Sequence, residues 1–238
     1  MSSPEPTAES PGTIALVIGS GGGIGSALVR ALEASGAYRR VIGLGRSGDP
    51  PLDLLDEASV ARALEAAGRE GEVRLAIHAA GVLHGPGMAP EKSLSAIDPA
   101  AMAQAFAINA TGPALVMKHL LPRLPRKGRC VFAALSARVG SIGDNRLGGW
   151  YAYRASKAAL NQLVRTAAIE LARRNPEALC VALHPGTVAT RLSAPFVGEG
   201  PRVQSPDVSA GKLLAVLDAL PGAANGGFFD AEGRPVPW

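Results

Sequence analysis

Five short runs of the chain are apolar at nearly every position: Thr13 to Ile18, Val41 to Leu44, Val73 to Ala79, Cys130 to Leu135 and Leu179 to Leu183. An unbroken apolar run, in contrast to an alternating one, suits a strand covered on both faces, as in a parallel sheet. Between these runs lie stretches with helical spacing. Ile24, Leu28 and Leu32 recur on one face of a stretch from about Ile24 to Ser35, and Gly36 follows as a stop. Further helices are predicted over Glu57 to Arg69, Pro99 to Leu121, Tyr153 to Arg174 and Pro206 to Leu220. The second of these is weakened around Asn109 to Pro113, where proline removes a backbone donor and predicts a kink. Strands and helices alternate, which predicts an α/β fold of the Rossmann type: a doubly wound parallel sheet with right-handed crossovers and helices on both faces. Residues 1–12 are rich in Ser, Pro and Glu and read as a flexible tail. Residues 13–238 read as one domain, with a Pro/Gly-rich mobile loop at Leu192 to Gln204.

Composition narrows the function classes. The chain has 238 residues, 47% hydrophobic and 18% charged, which fits one folded domain and argues against disorder. The net charge is +4, but Lys and Arg are spread along the chain and interleaved with acids such as Asp53, Asp56 and Glu57, and aromatics make up only 4%. Neither a basic patch nor an aromatic platform for nucleic acid is visible. Cys130 and Cys180 lie within apolar runs and read as core thiols, and no His/Cys/Asp/Glu group has metal-ligand spacing. No stretch reads as apolar enough to span a bilayer, and the N-terminus lacks the basic-then-apolar order of a signal peptide, so a cytoplasmic location without a membrane partner is expected.

The first chemical signal is Gly19-Ser20-Gly21-Gly22-Gly23-Ile24-Gly25, set between the first strand and the first helix. Glycine allows the tight turn and close approach of backbone to a pyrophosphate, and the helix N-terminus offers N–H groups and partial positive charge. At the end of the second strand, an acid would grip the ribose hydroxyls of NAD. This chain instead has Gly45-Arg46-Ser47, a combination suited to a 2′-phosphate, and the expected cofactor is NADP(H).

The second signal is Tyr153-Arg154-Ala155-Ser156-Lys157. Tyr153 and Lys157 share a helix face. A nearby ammonium, together with a cationic nicotinamide, is expected to lower the phenol pKa from about 10 so that it exchanges a proton with a carbonyl or alcohol oxygen. Ser136, at a strand end, is placed to hydrogen-bond that oxygen, and Asn109, at the helix kink, to hold a water or orient the lysine.

Taken in order, the glycine turn, Asn109, Ser136, Tyr153 and Lys157 make the chain resemble the short-chain dehydrogenase/reductase family from Ile14 to Trp238. The resemblance implies that Asn109, Ser136, Tyr153 and Lys157 form a catalytic tetrad and that Lys157 also binds the nicotinamide ribose. It implies cofactor contacts at Gly19, Ser20, Gly23, Ile24, Gly25, Arg46 and Ser47. Asp53 and Leu54 would sit at the adenine, Ala79, Ala80 and Gly81 behind its ribose, and Pro185, Gly186, Val188 and Thr190 along the nicotinamide. The stretches Ser136 to Ile142 and Gly148 to Tyr153, with the ending Pro235-Val236-Pro237-Trp238, resemble the C-factor branch.

Two positions depart from the family pattern. His78 stands where an asparagine amide usually ties neighbouring strands, and about six residues separate Arg46 from Leu52, too few for a helical crossover. The expected activity is hydride transfer between NADP(H) and a small carbonyl or alcohol substrate, held between Val139 to Tyr151 and Leu192 to Gln204. The C-factor resemblance leaves a second reading open, a nucleotide-binding signalling or regulatory protein with little catalysis. By the same resemblance the helices Pro99–Leu121 and Tyr153–Arg174 would pair across a two-fold axis, giving a homodimer or homotetramer.

Overall fold

The computed structural model describes residues 12–196 and 203–238. The expected N-terminal tail, apart from Gly12, and residues 197–202 of the expected loop lie outside the described residues. Six parallel strands form the sheet in the order β2-β1-β3-β4-β5-β8. They are β1 (Thr13–Ile18), β2 (Arg40–Leu44), β3 (Glu72–His78), β4 (Val131–Leu135), β5 (Leu179–His184) and β8 (Phe228–Asp230). The helices are α1 (Gly23–Ser35), α2 (Glu57–Gly68), α3 (Pro99–Phe106), α4 (Gly112–Leu120), α5 (Tyr151–Arg174) and α6 (Pro206–Ala219).

The apolar runs become strands buried on both sides because each face feeds a separate core. Ile14, Leu16 and Ile18 point with Val60, Val116, Leu120, Leu160 and Val164 into the layer under α2, α4 and α5. Ala15 and Val17 point the other way, with Leu28, Leu213 and Leu217, under α1 and α6. The winding direction reverses between β1 and β3. In sheets of this kind the ligand crevice opens at such a reversal, beyond the carboxyl ends of the strands.

The kink expected near Asn109 is a π turn over Ala107–Thr111 joining α3 to α4. Pro113 has no N–H to offer the Asn109 carbonyl, and the Gly112 N–H reaches back five residues to Ala107 O. The whole helical stretch Pro99–Arg123 is 25 residues long and contains an 18-residue window of mean hydropathy 1.2, long and apolar enough to cross a bilayer by length and composition, contrary to the sequence reading. Its apolar residues Val116, Met117 and Leu120 are packed in the core beneath α5.

Two further features define the edges of the sheet. Strand β8 has three residues, too few for a periodic signal, and it closes the far edge beside β5. Between β2 and α2 there is neither helix nor strand, so β2 is itself the edge of the sheet. Gly45 O accepts from Gly48 N (3.0 Å) and Leu52 N (2.9 Å), folding the link back onto the end of β2. Part of the expected irregular loop is ordered: Val203–Gln204 (β7) pairs with Thr187–Val188 (β6).

Candidate active site

The glycine turn lies across the carboxyl ends of β1, β2 and β3. Gly19 N and Ser20 N donate to Leu44 O at 2.8 and 3.2 Å, and Gly19 adopts φ 86°. A Cβ at Gly19 would stand 2.7 Å from Ala80 N, and one at Gly25 would stand 2.2 Å from Gly19 O. Both positions therefore require glycine. No side chain caps the start of α1, so the N–H groups around Gly23 and Ile24 face the crevice free for an anion. A Cβ at Gly23 would meet Thr190 Cγ2 at 2.9 Å, so the Pro185–Thr190 segment hangs over the turn. Gln204 Nε2 and Ser209 Oγ hold that segment by donating to Pro185 O at 2.8 and 2.9 Å.

Arg46 and Ser47 are exposed just past β2, with no acid beside them on that strand end. The Gly45 hydrogen bonds bring Asp53 back towards them. The Asp53 carboxylate accepts from Leu55 N at 3.0 Å, while Leu54 leans on Gly112 and the core. This donor set fits a dinucleotide carrying a 2′-phosphate: unpaired N–H groups for the pyrophosphate and an exposed guanidinium at the ribose end.

The four expected catalytic side chains converge where α5 crosses the end of β4. Lys157, 3% exposed, donates from Nζ to Leu135 O at 2.8 Å, and that nitrogen lies 5.9 Å from the centroid of the Tyr153 ring. Ser136 follows Leu135 directly, and its Oγ donates to Asn161 Oδ1 at 2.6 Å. Asn109 is fully buried: its Oδ1 accepts from Val82 N (2.8 Å), and its Nδ2 donates to Val82 O (2.8 Å) and Ser156 Oγ (3.1 Å). Gly81 fits between them, since a Cβ there would lie 3.2 Å from Asn109 Oδ1 and 3.4 Å from Lys157 Nζ.

The start of α5 is held by remote groups. Trp150, its first flanking residue, gives no side-chain cap. The buried Glu91 supplies one from outside, its two carboxylate oxygens accepting from Ala152 N at 3.3 and 3.2 Å. Arg154 Nε donates to Gly148 O and Gly149 O at 3.2 and 2.9 Å, fixing the approach. Tyr153 thus projects from a first helical turn with little freedom to shift.

The structure bears on three expectations. The Tyr153 phenol is not lowered in this state. Desolvation pushes it up to about 12, with no offsetting contribution from Lys157, whose ammonium lies 5.9 Å from the ring centroid. Asn109 does not hold Lys157; the lysine is oriented by the strand end, and the amide clamps Val82. His78 does not replace the missing amide tie, because neither ring nitrogen has a partner among the described residues. Burial, and then the charge of Lys157, lower its pKa to about 3, so it is neutral. Burial also lowers Lys157 to about 8.

Two site residues escaped the sequence reading. Asn161 lies one turn beyond Lys157, so the Tyr153, Lys157, Asn161 spacing was visible on one face. Glu91 is distant in sequence from α5 and carried no signal.

Comparison with known proteins follows this geometry. The family model described as Enoyl-(Acyl carrier protein) reductase matches residues 43–207. The 1-hydroxy-2-glutathionyl-2-methyl-3-butene dehydrogenase of Rhodococcus sp. (strain AD45) is 31% identical over 196 residues, covering 82% of this chain and 81% of that protein. The chain belongs to the short-chain dehydrogenase/reductase family. The C-signal protein of Myxococcus xanthus is 41% identical over 147 residues, 61% of this chain and 84% of that one, in keeping with the C-factor-like branch. The NADPH-bound carbonyl reductase from chicken fatty liver superposes with a TM-score of 0.83 at 27% identity, covering 97% of this chain and 96% of that chain.

Proposed function

We propose that this oxidoreductase is an NADP(H)-dependent reductase of small carbonyl compounds, working in reverse as an alcohol dehydrogenase. The observation that carries the reading is the placing of Tyr153 and Lys157 on one face of α5, with Lys157 bonded to Leu135 O at the end of β4, the residue that directly precedes Ser136. When bound, the nicotinamide supplies or takes up the hydride. The chain's own residues handle the proton and the binding. The phenol is protonated at neutral pH, and positive charge from Lys157 and the bound nicotinamide would bring its raised pKa down towards the range of a useful acid for an oxygen gaining negative charge. The Ser136 hydroxyl, delivered by β4 and steadied by Asn161, donates to the same oxygen by turning from its amide partner. Lys157 contributes positive charge and a ribose contact, Asn109 braces the loop at Val82, and Arg46 with Ser47 holds the 2′-phosphate. Gly19 to Gly25 receive the pyrophosphate, Asp53 and Leu54 the adenine, Ala79 to Gly81 its ribose, and Pro185 to Thr190 the nicotinamide. The solved relative carrying NADPH supports this cofactor.

The same reading includes a homodimer or homotetramer formed through α4 and α5, a cytoplasmic location, and neither nucleic-acid nor membrane partners. No observation favours the signalling alternative, since all four tetrad residues are in place and the name C-signal describes the relative alone. The test is oxidation of NADPH, followed at 340 nm, with a panel of aldehydes, ketones and quinones, repeated with NADH. Turnover with NADPH is expected; no turnover on any carbonyl, or a preference for NADH, overturns the reading.

A further inference from the structure

Trp150 is the one non-glycine residue with positive φ among the described residues, at 54°, and follows Gly148 and Gly149, both at 64°. A bulky side chain rarely occupies this left-handed region, and such strain persists only where the surroundings enforce it. Here they do. Trp150 N donates to Glu91 O at 2.6 Å, and Arg154 grips the two preceding carbonyls. Glycine would meet the backbone requirement without strain, so the sequence keeps an indole where the chain disfavours one.

What the strain secures is the position of the ring. The indole stands edge-on to Tyr153, centroids 6.3 Å apart at 69°. On its other side it meets Phe196, 5.3 Å away at 66°, and Phe196 meets His84 at 5.4 Å and 66°. His84 is tied in turn to Arg191 O at 3.2 Å. A continuous aromatic wall therefore runs from the proton-donating phenol along one side of the substrate region. The charged groups that brace Trp150, Glu91 and Arg154, are spent on backbone atoms, so what Trp150 and Phe196 turn towards the substrate region is rings. Aromatic faces and edges favour flat rings in stacked or edge-on contact and discriminate against puckered ones of equal size.

We propose that Trp150 is a specificity-determining residue that selects uncharged carbonyl compounds whose carbonyl is conjugated to a planar ring, and lays that ring beside Tyr153. The inference rests on the proposed reading of Tyr153 as proton donor. Benzaldehyde and cyclohexanecarbaldehyde have the same carbon skeleton, one flat and one puckered, and form the diagnostic pair. With NADPH, W150G is expected to lower kcat/KM for benzaldehyde by about tenfold, mainly through KM, while cyclohexanecarbaldehyde changes by less than about threefold. W150F, which keeps a ring, is expected to retain most of the preference. W150G tolerates the left-handed backbone, so loss of fold does not mask the result; circular dichroism and NADPH affinity are expected to match wild type. An unchanged benzaldehyde-to-cyclohexanecarbaldehyde ratio in W150G, or equal loss on both aldehydes, overturns the inference while leaving the reductase reading intact. Failure of the wild type to reduce any carbonyl overturns both.

Discussion

Replacing Lys157 with methionine should change how the stability of the ligand-free protein depends on pH. The ammonium is buried with one hydrogen-bond partner, Leu135 O, and desolvation lowers its pKa from 10.5 to about 8. At about 1.36 kcal/mol per pH unit, the charged form costs the fold about 3 kcal/mol. Below about pH 8 the lysine is charged in both folded and unfolded states, and the full cost is present. As pH rises from 8 the folded state gives up its proton first, so the cost fades and is gone by 10.5, where the unfolded lysine also titrates. Cys180 and Tyr153, both pushed up to about 12, work in the opposite direction above pH 9, but they are common to wild type and variant and cancel in the comparison. Urea unfolding at pH 7 and pH 10 should therefore show wild type gaining about 2–3 kcal/mol on K157M between the two values. With a slope of about 3 kcal/mol/M, the gap between midpoints should move by about 1 M. Loss of the Leu135 contact adds a pH-independent offset and does not touch this difference. Parallel pH dependence in the two proteins would refute the reasoning. A cost of this size in a buried core is understandable only if the charge serves the site.

Three further outcomes follow from other parts of the structure. Arg46→Ala should weaken NADPH by about 1.5–3 kcal/mol and leave NADH unchanged, measured by fluorescence titration; equal effects on both cofactors would remove Arg46 from the 2′-phosphate site. His78 is buried, neutral and titrates at about 3 in the fold against 6.5 as the ordinary value, so between pH 6.5 and 3 wild type should lose up to about 5 kcal/mol more than His78→Leu, the losses from His184 and Asp230 being common to both. Acid unfolding followed by circular dichroism checks this, and coincident acid midpoints would contradict it. Light scattering at micromolar concentration should give a dimer or tetramer, and a species of only 24.2 kDa would refute assembly through α4 and α5.

The fold was legible wherever one local rule governed a whole segment. β1, β3, β4 and β5 are apolar at most positions because both their faces are covered, and the glycine turn announced itself by its place after β1. The π turn was readable as a weakness in the helix, since Pro113 lacks a donor, although not as a π turn. What escaped depends on contacts between remote segments. Strand β8 is defined by pairing with β5, and Glu91 caps a helix that begins 60 residues later. Tyr153 illustrates the same limit in electrostatics. Sequence places a lysine one turn away, which argues for a lowered pKa, yet burial outweighs it, and burial is a property of the assembled site. His78 was seen to depart from the family pattern, but its lack of hydrogen-bond partners emerges only from packing between Ile18 and Ala134.

The most direct test of the mechanism is a pair of phenylalanine substitutions two residues apart at the start of α5. Tyr153→Phe keeps the ring and its contact with Trp150 and removes only the hydroxyl, the group assigned to hand the proton to the reacting oxygen. On a substrate that wild type reduces with NADPH, kcat should fall by about 10²–10⁴-fold, with NADPH affinity and the circular dichroism spectrum unchanged. Tyr151→Phe, at the first residue of α5, should be mild by comparison. Near-normal turnover in Tyr153→Phe, with activity abolished in Tyr151→Phe, would contradict the assignment of the proton donor and the mechanism built upon it.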